Sequence, residues 1–302
     1  MIFDYPADAA LRIQRPGGDS GLHGRVGGRF DPLGWTQATY TALRQCGQSI
    51  DIVGSDADLQ AYKLVIIACC SISDVKLATS LSKTEATIVL LPRSGSKTEH
   101  CAIPSELPPG EFQSLLPIKV VRSESLPPEI TLCATLPGST SGPGQEKEKP
   151  LSNAQQMFCC EWREKLETDL PCSVHFDDGW GFHYQLGKVH YLNAWLTGES
   201  LKVFVREILV TAGLVPIDCP AGLRLRSMKT LSTSRITTGN LPTPETLDKH
   251  NNELHFACHY GPDSIDLLAL DELPDFHKKA MQRRLLLGET TLNPADFAVW
   301  VV

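Results

Sequence analysis

The sequence predicts an α/β protein, an open parallel sheet flanked by helices, followed by a small antiparallel β domain. Three observations carry this reading. Strand-like and helix-like segments alternate with short connections through the first part of the chain. One of them, 63–68, is a continuous apolar run of the kind buried on both faces of a parallel sheet. Beyond Pro216 the pattern changes to short strand-like pieces separated by turns.

Taken in order, residues 1–5 read as a short strand, and 15–34, with seven glycines and two prolines, as a loop. Asp31-Pro32 offers a helix start. Trp35, Ala38, Thr39, Ala42, Leu43 and Cys46 then recur at helical spacing until Gly47 ends the run. Residues 49–53 and 63–68 read as strands, 74–81 as a short helix and 87–91 as the next strand. Prolines crowd 104–150, and 137–150 is a polar loop. Strands are expected at 158–166 and 174–176. A hairpin is expected over 181–195, turning at Gly187, because Phe182, Tyr184, Val189 and Tyr191 alternate with polar neighbours. Thr197 and Glu199 open a helix whose apolar stripe is Leu201, Phe204, Val205, Ile208 and Leu209, with Gly213 as its stop. Short strands follow at 223–226, 253–260, 264–270, 284–287 and 297–302, and 228–252 reads as an insertion rich in Ser, Thr, Asn and Pro. The expected division is 1–215 for the α/β domain and 216–302 for the β domain.

With 302 residues, 42% hydrophobic and 21% charged, the composition is that of a globular protein. A net charge of −7 and no basic run longer than two residues argue against a nucleic-acid partner. The longest apolar run, 64–70, is far short of the roughly 20 residues of a membrane helix. The first residues lack a basic n-region, so the expectation is a cytoplasmic protein without a secretory signal. A (β/α)₈ barrel takes about 250 residues, so two domains of the expected sizes leave no room for one.

No chemistry announces itself through spacing. The ten cysteines include the adjacent pairs Cys69-Cys70 and Cys159-Cys160 but no C-x-x-C, and His255-x-x-Cys258 has no second half, so no metal site is expected. Buried, inert thiols are the simpler reading. Cys69 or Cys70, at the carboxyl end of the 63–68 strand, with His100 or His183 as base, is the enzymatic alternative, although the small residues of a nucleophile elbow are missing. Asp177-Asp178 and Asp271-Glu272 read as solvated turn residues. The segment Pro92-Arg93-Ser94-Gly95-Ser96-Lys97-Thr98 has phosphate-loop residue types without the spacing, and no Gly-x-Gly-x-x-Gly occurs, so no cofactor is expected. Its place after a parallel strand makes Arg93, Ser94 and Lys97 the candidate interface or ligand-contact residues. Trp180, Tyr184, Tyr191 and Trp195, with Phe182, His183 and His190, form an aromatic group. It reads as core and interface surface, or as a carbohydrate-contact surface.

The assembled order says more than any single segment. Phe3-Asp4-Tyr5, Leu11-Arg12-Ile13-Gln14, Tyr40-x-Ala42-Leu43-Arg44 and Asp51-Ile52-Val53 lead to Asp58-Leu59-x-x-Tyr62-Lys63-Leu64-Val65. The 92–98 segment, Leu107-Pro108-Pro109-Gly110, Leu115-Leu116-Pro117, Asp178-Gly179-Trp180, Val189-His190-Tyr191-Leu192 and Gly222-Leu223-Arg224 follow. Tyr260-Gly261-Pro262 and Pro294-Ala295-Asp296-Phe297-Ala298-Val299-Trp300 close the series. In this order the chain resembles the part of glycoside hydrolase family 42 β-galactosidases that lies after the catalytic barrel.

The resemblance implies a class I glutamine-amidotransferase-like, flavodoxin-like α/β domain that mediates trimer formation, then a C-terminal β domain. It also implies that the catalytic glutamates and the metal-binding cysteines lie on the barrel, so no catalytic residue is carried over. Fold alone implies no amidotransferase activity. The expected function is a non-catalytic oligomerisation region that associates as a homotrimer or with a β-galactosidase barrel chain. A carbohydrate- or small-molecule-binding module and a Cys-dependent enzyme are the alternatives.

Overall fold

Short runs of β-branched and aliphatic residues set the central sheet. The computed structural model describes residues 1, 32–68, 70–72, 74–100, 102–126, 130–135, 156–172, 174–220, 222–229, 253–271 and 273–301. Within them the chain forms two compact units. One comprises Met1–Tyr40 and Asp51–Leu214, the other Thr41–Ile50 and Val215–Val302.

In the first unit, β1 (Leu64–Ile67) and β2 (Thr87–Leu90) pair in parallel through the helix α2 (Val75–Lys83). Asp74 caps α2, its carboxylate accepting the Leu77 N–H at 2.7 Å. Leu77, Ala78 and Leu81 turn inward. β7 (Val189–Leu192) joins β2 in parallel, and β6 (His183–Leu186) pairs with β7 antiparallel, giving the order β1-β2-β7-β6. The expected all-parallel sheet is therefore a mixed one. The hairpin tight at Gly187 (φ +56°) forces its first strand to run against the other three. The fully buried pattern of β2 and β7 fits strands covered on both faces.

A second, antiparallel sheet belongs to the same unit. β3 (Lys119–Ser125), β4 (Leu132–Thr135) and the 12-residue β5 (Gln156–Glu167) lie in the order β3-β5-β4, and β8 (Ala194–Leu196) also pairs with β5. The proline-dense reading of 104–150 missed β3 and β4. Residues 174–176 make only isolated bridges, His175 to Gly181 and Phe176 to Ala134, where a strand was expected. Residues 49–52 form no strand either; the Val53 N–H bonds the Met1 carbonyl instead. α3 (Gly198–Thr211) buries Leu201, Phe204, Val205, Ile208 and Leu209. Thr197 stands at its N-cap, but the hydroxyl bonds Ser200 Oγ rather than the helix backbone.

In the second unit, β9 (Leu223–Lys229), β10 (Glu253–His259), β12 (Leu285–Leu287) and β14 (Phe297–Val301) form an antiparallel sheet, β12-β14-β10-β9. A two-stranded piece, β11 (Ile265–Asp266) with β13 (Thr291–Leu292), stands apart from it. One element was not expected: α4 (Asp275–Arg284), where His277 and Met281, one turn apart, bury against Trp300 and its neighbours. The end of α1 (Pro32–Gln45) joins this unit. The Cys46 carbonyl accepts Ile217 N–H, Gln45 accepts Cys219 N–H, and Arg44 donates to the Leu225 carbonyl. Gly47 (φ +72°) makes the turn, and a Cβ there would lie 2.8 Å from that of Ile217. The insertion expected at 228–252 and the loop at 137–150 fall mostly outside the described residues.

Candidate functional site

Two constellations of tryptophan, arginine and carboxylate stand in the first unit, one inside and one outside. The inner one starts at the carboxyl end of β2. There the chain turns through Arg93, in the left-handed region at φ +69°, and Gly95, whose Cβ would fall 1.9 Å from the Pro109 carbonyl oxygen. The turn is tied back by Gly95 N–H to Cys70 O and Lys97 N–H to Ser71 O, both 2.8 Å.

What holds Arg93 in that conformation is Glu164 on β5. Its Oε1 accepts the Arg93 N–H (3.0 Å) and Trp162 Nε1 (3.2 Å), and its Oε2 accepts the Tyr191 hydroxyl (2.7 Å). The Arg93 guanidinium lies 4.4 Å from the Trp162 ring centroid. The Asn193 carbonyl accepts the Glu164 N–H, and Asn193 Nδ2 donates to the carbonyls of Glu164 and Gly181. Burial raises the Glu164 pKa, and the hydrogen bonds and the Arg93 charge oppose that rise. Burial likewise lowers Arg93 to about 10, with Glu164 pulling it back up. Tyr191 is pushed well above its ordinary value, first by burial and then by Glu164. The network joins the loop after β2, β5 and β7. It is a fastening, closed to solvent.

The outer constellation lies where β3 and β5 pair. Arg122 stands opposite Lys165, and Glu124 opposite Arg163. Glu124 binds Arg122 and Arg163, each at 2.7 Å, and Arg163 also reaches Asp178 at 2.6 Å. Trp180, presented by a turn with Gly179 at φ +86°, collects three cations around its ring. They are Arg163 at 4.1 Å, Lys165 at 5.6 Å and Arg122 at 5.7 Å from the centroid. The Arg163 side chain is 8% exposed and that of Arg122 65%. One guanidinium therefore serves the fold, while the other faces water.

The predicted contact residues divide between these two places. Arg93 is interior, Ser94 Oγ donates to the Leu91 carbonyl, and Lys97 is buried, so the loop after β2 turns these side chains inward. Of the aromatics, Tyr191 belongs to the Glu164 network. Trp195 is buried and stacks on Trp35 with centroids 5.2 Å apart, and Tyr184 is buried. Trp180 keeps partial exposure, as does His183. Glu164, Trp162, Asn193 and Arg163 were not singled out in the sequence.

Among the described residues the thiol alternative is not assembled. Cys70 is buried and donates to the Ile72 carbonyl, His183 is bonded to His190 at 3.1 Å, and His100 is exposed beside Glu99. Cys69 lies outside the described residues.

The comparison with known proteins decides what this scaffold is. A family profile described as the β-galactosidase trimerisation domain matches residues 1–215. The chain belongs to that family. Over 300 residues it is 32% identical to the β-galactosidase BgaA of a Thermus species and 31% identical to a β-galactosidase of Thermus thermophilus. In each case the match takes in 99% of this chain but 37% of the relative, so the chain spans well under half the length of these relatives. The crystal structure of the β-galactosidase from the psychrophilic Marinomonas ef1 superposes with a TM-score of 0.71 at 26% identity, covering 99% of this chain and 36% of that one. This trimerisation-domain chain thus corresponds to a part of such enzymes. No eight-stranded parallel barrel occurs among its described residues, and no helix among them is long and apolar enough to cross a membrane.

Proposed function

We propose that the chain is the self-associating region of a family 42 glycoside hydrolase, assembling as a homotrimer and contributing no hydrolytic residue of its own. The observation that carries this reading is the family match over 1–215, together with a fold that overlays 36% of a β-galactosidase from end to end of this chain. A class I glutamine-amidotransferase-like, flavodoxin-like ancestry for the first unit is part of the proposal. It is supported by the parallel β1-β2-β7 core with its crossover helix α2. On this reading the loop after β2, which could have held a catalytic group, has been filled by Arg93 and fastened by Glu164. The thiols Cys159, Cys160, Cys172, Cys219 and Cys258, none in a disulfide, suit a reducing, cytoplasmic setting.

Hydrolysis of terminal β-galactosides is the activity the assembly would serve, supplied by a barrel. Sedimentation equilibrium of the 302-residue chain tests the reading. A trimer is expected, together with no turnover of a nitrophenyl β-galactoside. A strict monomer at high micromolar concentration overturns it.

A further inference from the structure

The outer constellation carries a charge arrangement that the described residues leave unbalanced. Arg122 and Lys165 are directly opposed across β3 and β5, a like-charge pairing that destabilises a sheet. Glu124 is shared by Arg122 and Arg163, and Asp178 is taken by Arg163. Three cations meet two carboxylates. Among the described residues no carboxylate lies within ion-pair distance of Lys165. Its exposed side chain sets the ammonium 5.6 Å from the centroid of Trp180. Tryptophan and arginine on a pre-formed, partly exposed platform are the residue types that dominate protein–protein binding energy. The surplus positive charge specifies a partner surface with carboxylates.

The first unit also has such a surface. Asp56 and Asp58 are exposed, four and six residues beyond Ile52, which is 53% exposed, and no Lys or Arg lies between 51 and 62. Asp51 is exposed too, but its charge is shared with the Met1 ammonium and the Tyr62 hydroxyl. Their field is felt locally. The Tyr62 hydroxyl, 3.2 Å from Asp51, has its pKa raised by burial first and by the charges of Asp51 and Asp58 next.

Symmetry makes the connection. A ring of three is a cyclic assembly of odd order, and its contacts join two different patches of the same chain rather than one patch to itself. The Trp180 platform cannot meet its own copy without setting Lys165 and Arg122 against their like.

We infer that the chain associates head to tail, the Arg122–Lys165–Trp180 platform of one copy receiving the Asp51–Asp58 loop of the next. This inference rests on the self-association reading above and assigns it a surface. The carboxylates of Asp56 and Asp58 cancel the Arg122–Lys165 repulsion, and Ile52 brings an apolar contact to the free part of the Trp180 ring.

Charge reversal tests it on the 302-residue chain, with sedimentation equilibrium as the readout and circular dichroism melting to verify the fold. R122E/K165E and D56K/D58K should each raise the dissociation constant of the assembly at least about tenfold. Combining all four substitutions in one chain should bring it back toward the parent value. Assembly of both double variants at the parent's affinity, or a fourfold variant no better than the doubles, overturns the inference while the self-association reading stands. A monomeric parent overturns that reading, and the surface with it. W180A probes the platform without altering charge. It removes the cover of Arg163 and so lowers the melting temperature somewhat, but the chain should stay folded and assembly should weaken. An unchanged dissociation constant contradicts the platform's role.

Discussion

Trp162 with Arg93 and Glu164, and Trp180 with Arg163 and Asp178, use the same three residue types within one unit of the protein. The inner set is closed. Glu164 is 2% exposed and meets three donors. The outer set is open, with Arg122 65% and Asp178 42% exposed and one more cation than carboxylates. Residue type therefore does not distinguish a fastening from a docking surface. Burial and the balance of charge do. A buried charge persists only where it is answered, whereas an exposed surplus can wait for a partner because water screens it in the meantime.

The contrast breaks most sharply at Glu164. Glu164→Ala removes the carboxylate whose charge acts on the buried Arg93 guanidinium, and takes the acceptor at Oε1 from the Arg93 N–H and Trp162 Nε1 and that at Oε2 from the Tyr191 hydroxyl. A loss of about 3–5 kcal/mol is expected by urea unfolding. A loss below about 1 kcal/mol would mean that water already reaches the network. Tyr191→Phe keeps the ring and removes one donor. The expected cost is smaller, about 1–3 kcal/mol, and the two variants should be strongly non-additive because they share one carboxylate.

The stacked pair His183 and His190 sharpens the rule, because it is largely buried and no ion pair joins it to a carboxylate among the described residues. Burial lowers both to about 4, with His190 adding to the shift at His183. Both rings are therefore neutral when folded at neutral pH. Unfolding releases them to bind protons near pH 6.5, so their contribution is complete above about 6.5 and is lost as pH falls toward 4. A fall in melting temperature of several degrees across that window is expected, roughly what 1–2 kcal/mol produces in a domain of this size. H183F/H190F should flatten it. An unchanged slope would place the acid sensitivity elsewhere, with His277 in the second unit the next group to examine.

How much of this was legible in the sequence follows from the same physics. The apolar runs of β1 and β2 and the stripe of α3 announce themselves because their periods are undisturbed. β5 was legible as a strand but not for what it buries. Glu161 sits in the left-handed region at φ +63°, and the register with β8 shifts between Cys159 and Arg163. Beyond it Trp162, Arg163 and Glu164 are all buried, Trp162 and Glu164 on the inner face and Arg163 on the outer face beneath Trp180, so the polar-apolar alternation that marks a half-buried strand is missing. So Glu164 read as one more charge in a polar stretch, and the loop it fastens read as open. The family resemblance came instead from collinear segments spread along the chain, which a local irregularity does not erase. α4 was missed because its apolar residues, Phe276, Ala280 and Met281, do not fall on one stripe in an otherwise polar and charged segment, and its inward face exists only once Trp300 is there to receive it.

The smallest effect is also the most discriminating, because its two readouts move in opposite directions. Lys165→Glu replaces a like-charge pair across β3 and β5 with an opposite-charge pair facing Arg122. The isolated chain should gain roughly 0.2–1 kcal/mol, since opposite charges directly across a ladder stabilise it. The same change removes the surplus cation that the acidic loop of the next copy would meet, so assembly should weaken. Unfolding measured at a concentration where the chain is dissociated, beside sedimentation at higher concentration, separates the two. A purely structural lysine would give no loss of assembly. A variant that both destabilises the chain and weakens assembly would mean that Trp180 holds Lys165 more tightly than the Arg122 repulsion pushes it away. A substitution that improves the fold and impairs the assembly would show that the mismatch at Arg122 and Lys165 is kept for the sake of the neighbour.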